Sequence, residues 1–199
     1  MSEKYQQYNR LLKEMNNPTL YIFSGLPGAG KSTLAQELSQ QTGFVYLRID
    51  TVEQVLKNLF NFKVEGEGYR LSYRIAQDNL NLGLSVIADS CNPIELTRSE
   101  WNEVAIESKA SFINIEVVCS DISEHRKRVE NRDSTIEGLK LPTWKDVENR
   151  EYHTWFNERL VIDTAGKTVS ESVQELLVGL STDENHLTMH CAGLAALTR

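Results

Sequence analysis

The sequence is poor in cysteine and has no long apolar run. It has 3 Cys in 199 residues, with no CxxC spacing and no even-numbered framework. Reduced thiols are therefore expected instead of a disulfide scaffold or a structural zinc site. No apolar run approaches the ~20 residues of a membrane-spanning helix, and the polar residues 1–8 do not resemble a signal peptide. We expect a cytoplasmic protein with no membrane partner.

The chain also lacks a basic excess. Its 21 Lys and Arg against 28 Asp and Glu give a formal charge of −7, which makes a nucleic-acid partner unlikely on composition, although a local basic groove remains compatible with it. Hydrophobic residues make up 40% and charged residues 25%, as in ordinary globular proteins. The length suits one α/β domain with a lid. The composition does not predict an oligomeric state.

Short apolar runs alternate with segments of helical periodicity, which predicts βαβ units and a parallel sheet covered on both faces by helices. A short amphipathic helix is expected first, at 4–16. Two segments interrupt the alternation: a loop around 57–68, and the irregular segment 133–143, which ends at Thr143, a predicted N-cap. The predicted strands are 20–24, 44–47, 85–88, 112–118 and 160–162, and the predicted helices are 33–40, 69–82, 93–107 and 123–132.

A phosphate-binding loop follows the first predicted strand. Its residues are Gly25, Leu26, Pro27, Gly28, Ala29, Gly30, Lys31 and Ser32, and Thr33 begins the helical pattern after it. The order strand, glycine-rich loop, helix distinguishes this motif from a chance match. Backbone N–H groups and the helix N-terminus then surround phosphate oxygens. Lys31 is expected to neutralise the β- and γ-phosphates of ATP, and the Ser32 hydroxyl to bind Mg²⁺.

Nucleotide binding alone does not define a reaction. The chain has no Asn/Thr-Lys-x-Asp segment that would read guanine, which excludes an ordinary GTPase. The strand at 85–88 ends in Asp89-Ser90 instead of the Asp-Glu pair of an AAA-type motor, and the chain is short for a motor with its helical lid domain. Phosphoryl transfer is therefore the favoured chemistry.

Two carboxylates fall at carboxyl ends of predicted strands, where α/β proteins bind ligands. Asp50 could accept a proton from an acceptor hydroxyl, but it also begins a capping-box pattern with Glu53 and could be structural. Asp89 has no such alternative, because Asn92-Pro93 already provides a cap for the next helix. Asp89 is therefore the stronger candidate for a site residue, including a role with Ser32 at the Mg²⁺ ion.

A basic helix is predicted just before the irregular segment. Arg128 and Arg132 are spaced i,i+4 and share one face, so both could stabilise charge on a transferring phosphoryl group. A solvated basic face explains the same pattern. Arg126 points elsewhere and could contact the base or the sugar of the nucleotide.

Taken together, these segments resemble a group of P-loop kinases that includes phage polynucleotide 5′-kinase, chloramphenicol phosphotransferase and bacterial gluconate kinases. The resemblance implies a sheet of order 2-3-1-4-5 in a kinase domain at 1–180, with a lid at about 126–143 and a base contact near 164–166. It also implies Asp50 as the base for the acceptor, Asp89 as an orienting group, and Arg128 with Arg132 as lid arginines. The matching segments are SGLPGAGKST (24–33), RID (48–50), VIADSCNP (86–93), HRKRVENR (125–132), LPTW (141–144) and VIDTAG (161–166).

One departure bears on the acceptor. Polynucleotide kinase carries an arginine three residues after its catalytic aspartate, and this chain has Glu53 there. We therefore expect a small-molecule acceptor, with a polynucleotide 5′-kinase and an ATP-binding regulatory protein as alternatives. The segment 181–199 lies outside the resemblance and is expected to be a tail or a helix. His186, His190 and Cys191 in it lack a fourth ligand for a metal site.

Overall fold

Five parallel strands form the central sheet in the computed structural model, which describes residues 17–61 and 63–181. The predicted helix at 4–16 and the residues 182–199 of the predicted tail lie outside the described residues. The sheet order is β2-β3-β1-β4-β5, as predicted. The strands are β1 (Thr19–Ser24), β2 (Val45–Arg48), β3 (Val86–Asp89), β4 (Ser111–Val118) and β5 (Leu160–Asp163).

Helices cover both faces of this sheet. Alternate residues of β1 divide between two cores, because successive side chains of a strand point to opposite faces. Tyr21 and Phe23 pack on one face with apolar residues of the helices at 31–42 and 169–181. Leu20 and Ile22 pack on the other face with residues of the helices at 67–81 and 95–107. The helices are α1 (Lys31–Thr42), α2 (Ile49–Phe60), α3 (Glu67–Asn81), α4 (Glu95–Glu107), α5 (Ile122–Asn131), α6 (Trp144–Glu148) and α7 (169–181).

The carboxyl ends of β1, β2 and β3 lie level with one another. Asp89 of β3 pairs with Phe23 of β1 on one side and with Arg48 of β2 on the other. Ser24 pairs with Glu116 of β4. Side chains from different strands are therefore delivered to one edge of the sheet.

The predicted cap before α2 is wrong. Arg48 is the N-cap of α2 and makes no side-chain capping bond, while Asp50 lies within the first turn. Helical conformation starts directly after β2, so Asp50 lies two positions after the N-cap. The capping alternative for Asp50 is thereby removed, while a favourable interaction with the helix dipole remains.

The predicted cap before α4 is also wrong. Ile94 is the N-cap of α4. Asn92 is fully buried with a φ of 43°, and its Nδ2 donates to the Phe23 carbonyl (3.1 Å) and to Ser24 Oγ (3.2 Å). The side chain of Asn92 is therefore directed to the end of β1, and its Oδ1 atom, the acceptor that a cap would use, has no partner among the described residues.

Two further local predictions have opposite outcomes. The predicted loop at 57–68 is too long at both ends, because α2 continues to Phe60 and α3 begins at Glu67, with Gly68 in its first turn against the Glu53 side chain. Thr143 is the predicted N-cap, and it forms a capping box with Asp146 at the start of α6.

Arg98 of α4 fixes the chain that follows α6. Its side chain is fully buried. Its guanidinium donates to the carbonyls of Asn92 (2.9 Å), Pro93 (3.2 Å), His153 (3.0 Å) and Thr154 (3.4 Å). The same group lies over the rings of Trp155 and Tyr152, 4.0 and 4.9 Å from their centroids. The loop after β3 and the segment 152–155 thus share one anchor.

No helix in residues 17–61 and 63–181 combines the length and the apolar character needed to cross a bilayer.

Candidate active site

The phosphate loop connects β1 to α1 through glycines that other residues could not replace. Gly25 and Gly28 have φ values of 135° and 86°. A Cβ atom on Gly25 would lie 2.1 Å from the Val117 carbonyl oxygen, and one on Gly28 would lie 2.5 Å from Val129 Cγ2. The loop is therefore packed tightly between the end of β4 and helix α5. Gly30 caps α1 without a side-chain bond, which leaves the N–H groups of the first turn available for an anion.

Lys31 lies folded over this loop. Its side chain is buried, and Nζ donates to the Leu26 carbonyl at 3.0 Å. Behind the loop, a His125 ring nitrogen lies 2.9 Å from the Pro27 carbonyl, and the same ring meets Trp144 edge to face. The loop is thus braced by α5 and α6 on its outer side. Sequence reasoning did not single out His125.

A cavity of about 430 Å³ opens in front of the loop. It is lined by predicted site residues and by residues that were not predicted. Thr164 enters from the segment after β5 and belongs to the predicted base contact at 164–166, whereas Arg48, at the end of β2, and Lys167 were not predicted. The predicted residues that line it are Gly28, Gly30, Lys31, Ser32, Thr33, Arg128 and Arg132, whereas Gly25, Leu26, Pro27, Ala29, Arg126, Asp50 and Asp89 do not.

Arg128 is held in the cavity wall by a network that includes Thr164. Its guanidinium donates to Thr164 Oγ1 (2.7 Å), to the Thr164 carbonyl (2.9 Å) and to Glu124 Oε1 (2.6 Å). The Thr164 hydroxyl lies 2.8 Å from the Ala29 carbonyl of the phosphate loop and donates to it. Helix α5, the end of β5 and the phosphate loop therefore meet at one threonine.

Arg132 differs from Arg128 in its lack of partners. Among the described residues no acceptor bonds to its buried Nε atom. Burial lowers the pKa of Arg132, and Arg48 acts in the same direction, whereas attraction to Asp50 opposes both. Asp50 itself is exposed, in the first turn of α2. The predicted base thus lies within electrostatic range of a cavity arginine.

Arg126 is directed away from this cavity. Its Nε pairs with Glu130 Oε1 at 2.8 Å, and the side chain is more than half exposed. The ion pair is an i,i+4 contact along α5, on a different side from Arg128. The geometry lends no support to the predicted contact between Arg126 and the base or sugar.

Asp89 is almost fully buried, and its Oδ2 atom accepts a hydrogen bond from the Tyr46 hydroxyl at 2.7 Å. Burial, with Asp89 as a second cause, raises the pKa of Tyr46, so the hydroxyl keeps its proton and remains a donor. Arg48 Nε is 3.9 Å from the same oxygen, which is too long for a hydrogen bond. Asp89 is therefore a fixed carboxylate at the end of β3.

The donor set fits a magnesium ion that is bound largely by phosphate and water. No group of three or more His, Cys, Asp or Glu side chains that could hold a metal occurs in the part of the chain that the structure describes. Mg²⁺ in nucleotide sites needs only one or two protein oxygens. The Ser32 hydroxyl is positioned for this at the start of α1, and it lines the cavity.

Residues 20–147 match the family described as AAA domain. The chain belongs to this family. The match covers more than half of the chain, and it includes the phosphate loop, Asp50, Asp89 and both cavity arginines of α5. No curated protein matches the sequence closely enough to serve as a relative.

Solved structures with the same fold include several kinases. A gluconokinase from Sinorhizobium meliloti 1021 aligns with a TM-score of 0.64 and 16% identity over 88% of this chain and 98% of the other. The Mycobacterium tuberculosis APS kinase CysC, solved with AMPPNP and APS, gives 0.59 and 16% over 83% and 98%. Chaetomium thermophilum Kti12, solved with ADP-AlF3, gives 0.58 and 18% over 79% and 97%. The P-loop fold expected from the sequence is thereby confirmed.

Proposed function

We propose that the protein is an ATP-dependent phosphotransferase that moves the γ-phosphate of ATP to a hydroxyl group of a small molecule. One observation carries the proposal. A single cavity combines the lysine and serine of a phosphate loop with Arg128 of α5 and with Arg132, the extended residue that ends α5, near an exposed carboxylate. A protein that only stores nucleotide needs the loop, but it does not need converging guanidinium groups. The similarity to gluconokinase and APS kinase structures supports the same chemistry.

The donor end of the cavity holds the phosphates. The first-turn N–H groups of α1 bind phosphate oxygens, and Lys31 leaves the Leu26 carbonyl to neutralise the β- and γ-phosphates. Ser32 would hold Mg²⁺, with Asp89 acting through bound water, and the ion would supply charge neutralisation on the phosphates. Thr33 lines the same end of the cavity.

The arginines of α5 act on the phosphoryl group during transfer. In that step, charge spreads over three equatorial oxygens, and fixed cationic donors stabilise it. Arg128 is already held by Glu124 and Thr164. Arg132 has donor capacity that no described residue uses at Nε, so it can turn to the transferring group.

Asp50 accepts the proton of the acceptor hydroxyl as the new P–O bond forms. Its exposure in the first turn of α2 and its attraction to Arg132 support this role. Asp89 acts as the orienting group through Tyr46.

Two other functions are weighed against this one. A polynucleotide 5′-kinase fits poorly, because the net charge is −7 and Glu53 occupies the position three residues after Asp50 where polynucleotide kinase carries an arginine. A nucleotide-dependent regulatory protein is favoured by the similarity to Kti12, which is not described as a kinase.

The test measures ATP consumption with and without sugars, nucleosides, hydroxylated antibiotics and 5′-hydroxyl oligonucleotides. Kinase activity predicts that one small-molecule class stimulates turnover, and that Asp50→Asn lowers this stimulated rate about 10²- to 10⁴-fold while ATP still binds. Asp78→Asn, on the exposed side of α3, is the matched control and keeps the rate. If no acceptor stimulates turnover and Asp50→Asn leaves basal hydrolysis unchanged, the regulatory function replaces the kinase.

A further inference from the structure

Cationic side chains dominate the cavity wall, and their neutralisation is uneven. Arg128 is paired with Glu124 at 2.6 Å, and Lys167 is paired with Glu175. Arg48 and Arg132 have no carboxylate at hydrogen-bonding distance among the described residues. The phosphate loop already provides for the phosphates of the nucleotide. Arg48 is therefore not required for the donor, and Arg132, which acts on the transferring phosphoryl group under the proposed function, has further N–H groups for a second anion.

Arg48 lines the cavity in a position that leaves the Nη2 edge of its guanidinium free of partners among the described residues. Its Nη1 donates to Thr135 Oγ1 at 2.8 Å, which ties β2 to the irregular segment 133–143. Its Nε is buried without an acceptor. The nearest carboxylate oxygen belongs to Asp89, lies 3.9 Å away and is already bonded by Tyr46. The side chain is only 18% exposed, so water satisfies little of its donor capacity.

Arg132 lines the same cavity as Arg48. Its Nε is buried without an acceptor, and no described residue forms a hydrogen bond or an ion pair with its guanidinium. Arg48 is close enough to lower the pKa of Arg132, as expected for two like charges that share a poorly solvated space. Two unpaired like charges in such a space are costly, and an oxyanion bound between the cavity-lining ends of the two guanidinium groups would lower that cost for both.

The place of Arg48 in the sheet separates this region from the γ-phosphate. Strand β2 is two positions from β1 in the sheet order. Neighbouring strands are about 4.8 Å apart, so the end of β2 is roughly 10 Å from the end of β1, where the phosphate loop begins. Asp50 follows Arg48 by two residues. The free edge of Arg48 therefore belongs to the acceptor side.

We propose that Arg48 and Arg132 form a second anion site, which binds a carboxylate, sulfate or phosphate group carried by the phosphoryl acceptor. This inference rests on the proposed function and narrows it: the acceptor is a hydroxylated oxyanion. Glu53 does not oppose this assignment, because the cation comes from the end of β2.

The test uses inorganic sulfate as the probe. The full chain is saturated with Mg²⁺ and a non-hydrolysable ATP analogue, and sulfate binding is measured by calorimetry at constant ionic strength. Saturable binding is expected, weakened about 10-fold or more by Arg48→Gln or Arg132→Gln, because each removes a charge-assisted donor. Arg126→Gln, the exposed arginine of α5, is the control and changes the affinity less than about 2-fold.

Two results would overturn the anion site: no saturable sulfate binding to the analogue-loaded protein, or wild-type affinity in both variants. If sulfate binds the nucleotide-free protein but not the analogue-loaded protein, the anion is assigned to the position of the γ-phosphate. Affinity for ADP checks that each variant is folded. If Arg48→Gln does not fold, Arg48→Lys takes its place, because lysine keeps the charge but lacks the guanidinium donors. Arg48→Lys is also expected to weaken sulfate binding, and wild-type affinity in this variant counts against the site.

This experiment is independent of turnover. A protein that binds sulfate at Arg48 but transfers phosphate to no acceptor contradicts the proposed function and not the anion site. A protein that phosphorylates a neutral acceptor with a KM unchanged in Arg48→Gln contradicts the anion site alone. Matched pairs such as glucose with gluconate and glycerol with glycerate supply that comparison, and a lower KM for the anionic member is expected.

Discussion

Arg128 donates two hydrogen bonds to Thr164, one to its hydroxyl and one to its carbonyl. Because the same hydroxyl donates to the Ala29 carbonyl of the phosphate loop, the position of the arginine depends on the position of the loop. A change in the loop on nucleotide binding would therefore reach α5 through one side chain.

Thr164→Val is expected to lower the midpoint of thermal unfolding and to weaken ADP binding. The substitution leaves the Ala29 carbonyl and an Arg128 donor unpaired in a nearly buried place, at a cost of about 1–3 kcal/mol. Thermal unfolding with and without ADP measures both effects. Ser170→Ala, at an exposed position of α7, is the control, and an equal shift in the two variants would contradict the role of the hydroxyl.

Alanine substitutions of Arg126 and Arg128 should differ sharply in their effect on acceptor-stimulated ATP turnover. Arg128→Ala is expected to lower the rate of acceptor-stimulated ATP turnover at least about 10-fold, because a guanidinium that lines the cavity is lost. Arg126→Ala should change the rate less than about 2-fold, since its partner is Glu130 on the exposed side of α5. Steady-state kinetics tests the pair, and similar losses in both would show that the cavity extends over Arg126.

Gly28→Ala should reduce ATP affinity at least about 10-fold in a folded protein. The new Cβ would lie 2.5 Å from Val129 Cγ2, in a backbone conformation with a φ of 86° that disfavours side chains. Adding Val129→Ala removes the clash but not the φ strain, so affinity should recover in part. Full recovery would assign the effect to the clash alone, and no recovery would assign it to the backbone. Calorimetric titration of ATP separates the two, with Val129→Ala alone as the reference.

Glu53 should make the protein less stable as the pH rises through the acidic range. Burial raises the pKa of Glu53, and Asp50 adds to the shift, while Lys57 and Arg150 oppose it. Between the ordinary pKa and the raised one, the folded protein binds more protons than the unfolded chain, so the free energy of unfolding falls with increasing pH in that window.

Glu53→Gln removes this titration, so it should raise the stability at neutral pH and flatten the profile. Denaturant unfolding at several pH values measures it. Glu103→Gln, an exposed residue of α4, should leave the profile as in the wild type. An unchanged profile in Glu53→Gln would show that the carboxyl is not destabilised by folding.

Much of the fold follows from local patterns. The alternation of apolar runs with helical periodicity predicts all five strands, and the phosphate loop is unambiguous because strand, glycines and helix occur in order. The caps of α2 and α4 were mispredicted for a tertiary reason. Asparagine is a residue type that often caps helices, but the side-chain amide of Asn92 donates instead to the Phe23 carbonyl and to Ser24 Oγ at the end of β1. Sequence spacing does not contain that competition.

The site was predictable only in part for a related reason. Arg128 and Arg132 stand out by their i,i+4 spacing, and both line the cavity. Arg48 does not stand out, because its partner Thr135 is 87 residues away. The resemblance pointed to 164–166 as a base contact, but the bonds between Thr164 and Arg128, 36 residues away, do not follow from spacing. Arg126 illustrates the reverse error: a basic residue near the site pairs with its own helix.

Arg98 has a mechanical consequence. Its charge is balanced by carbonyl dipoles and two aromatic rings, which hold it from several directions at once. The loop after β3 and the segment 152–155 are therefore held together by one side chain. A displacement of the segment 152–155 would reach Asn92 through Arg98, and the amide of Asn92 would pass it on to Ser24, the residue before the phosphate loop.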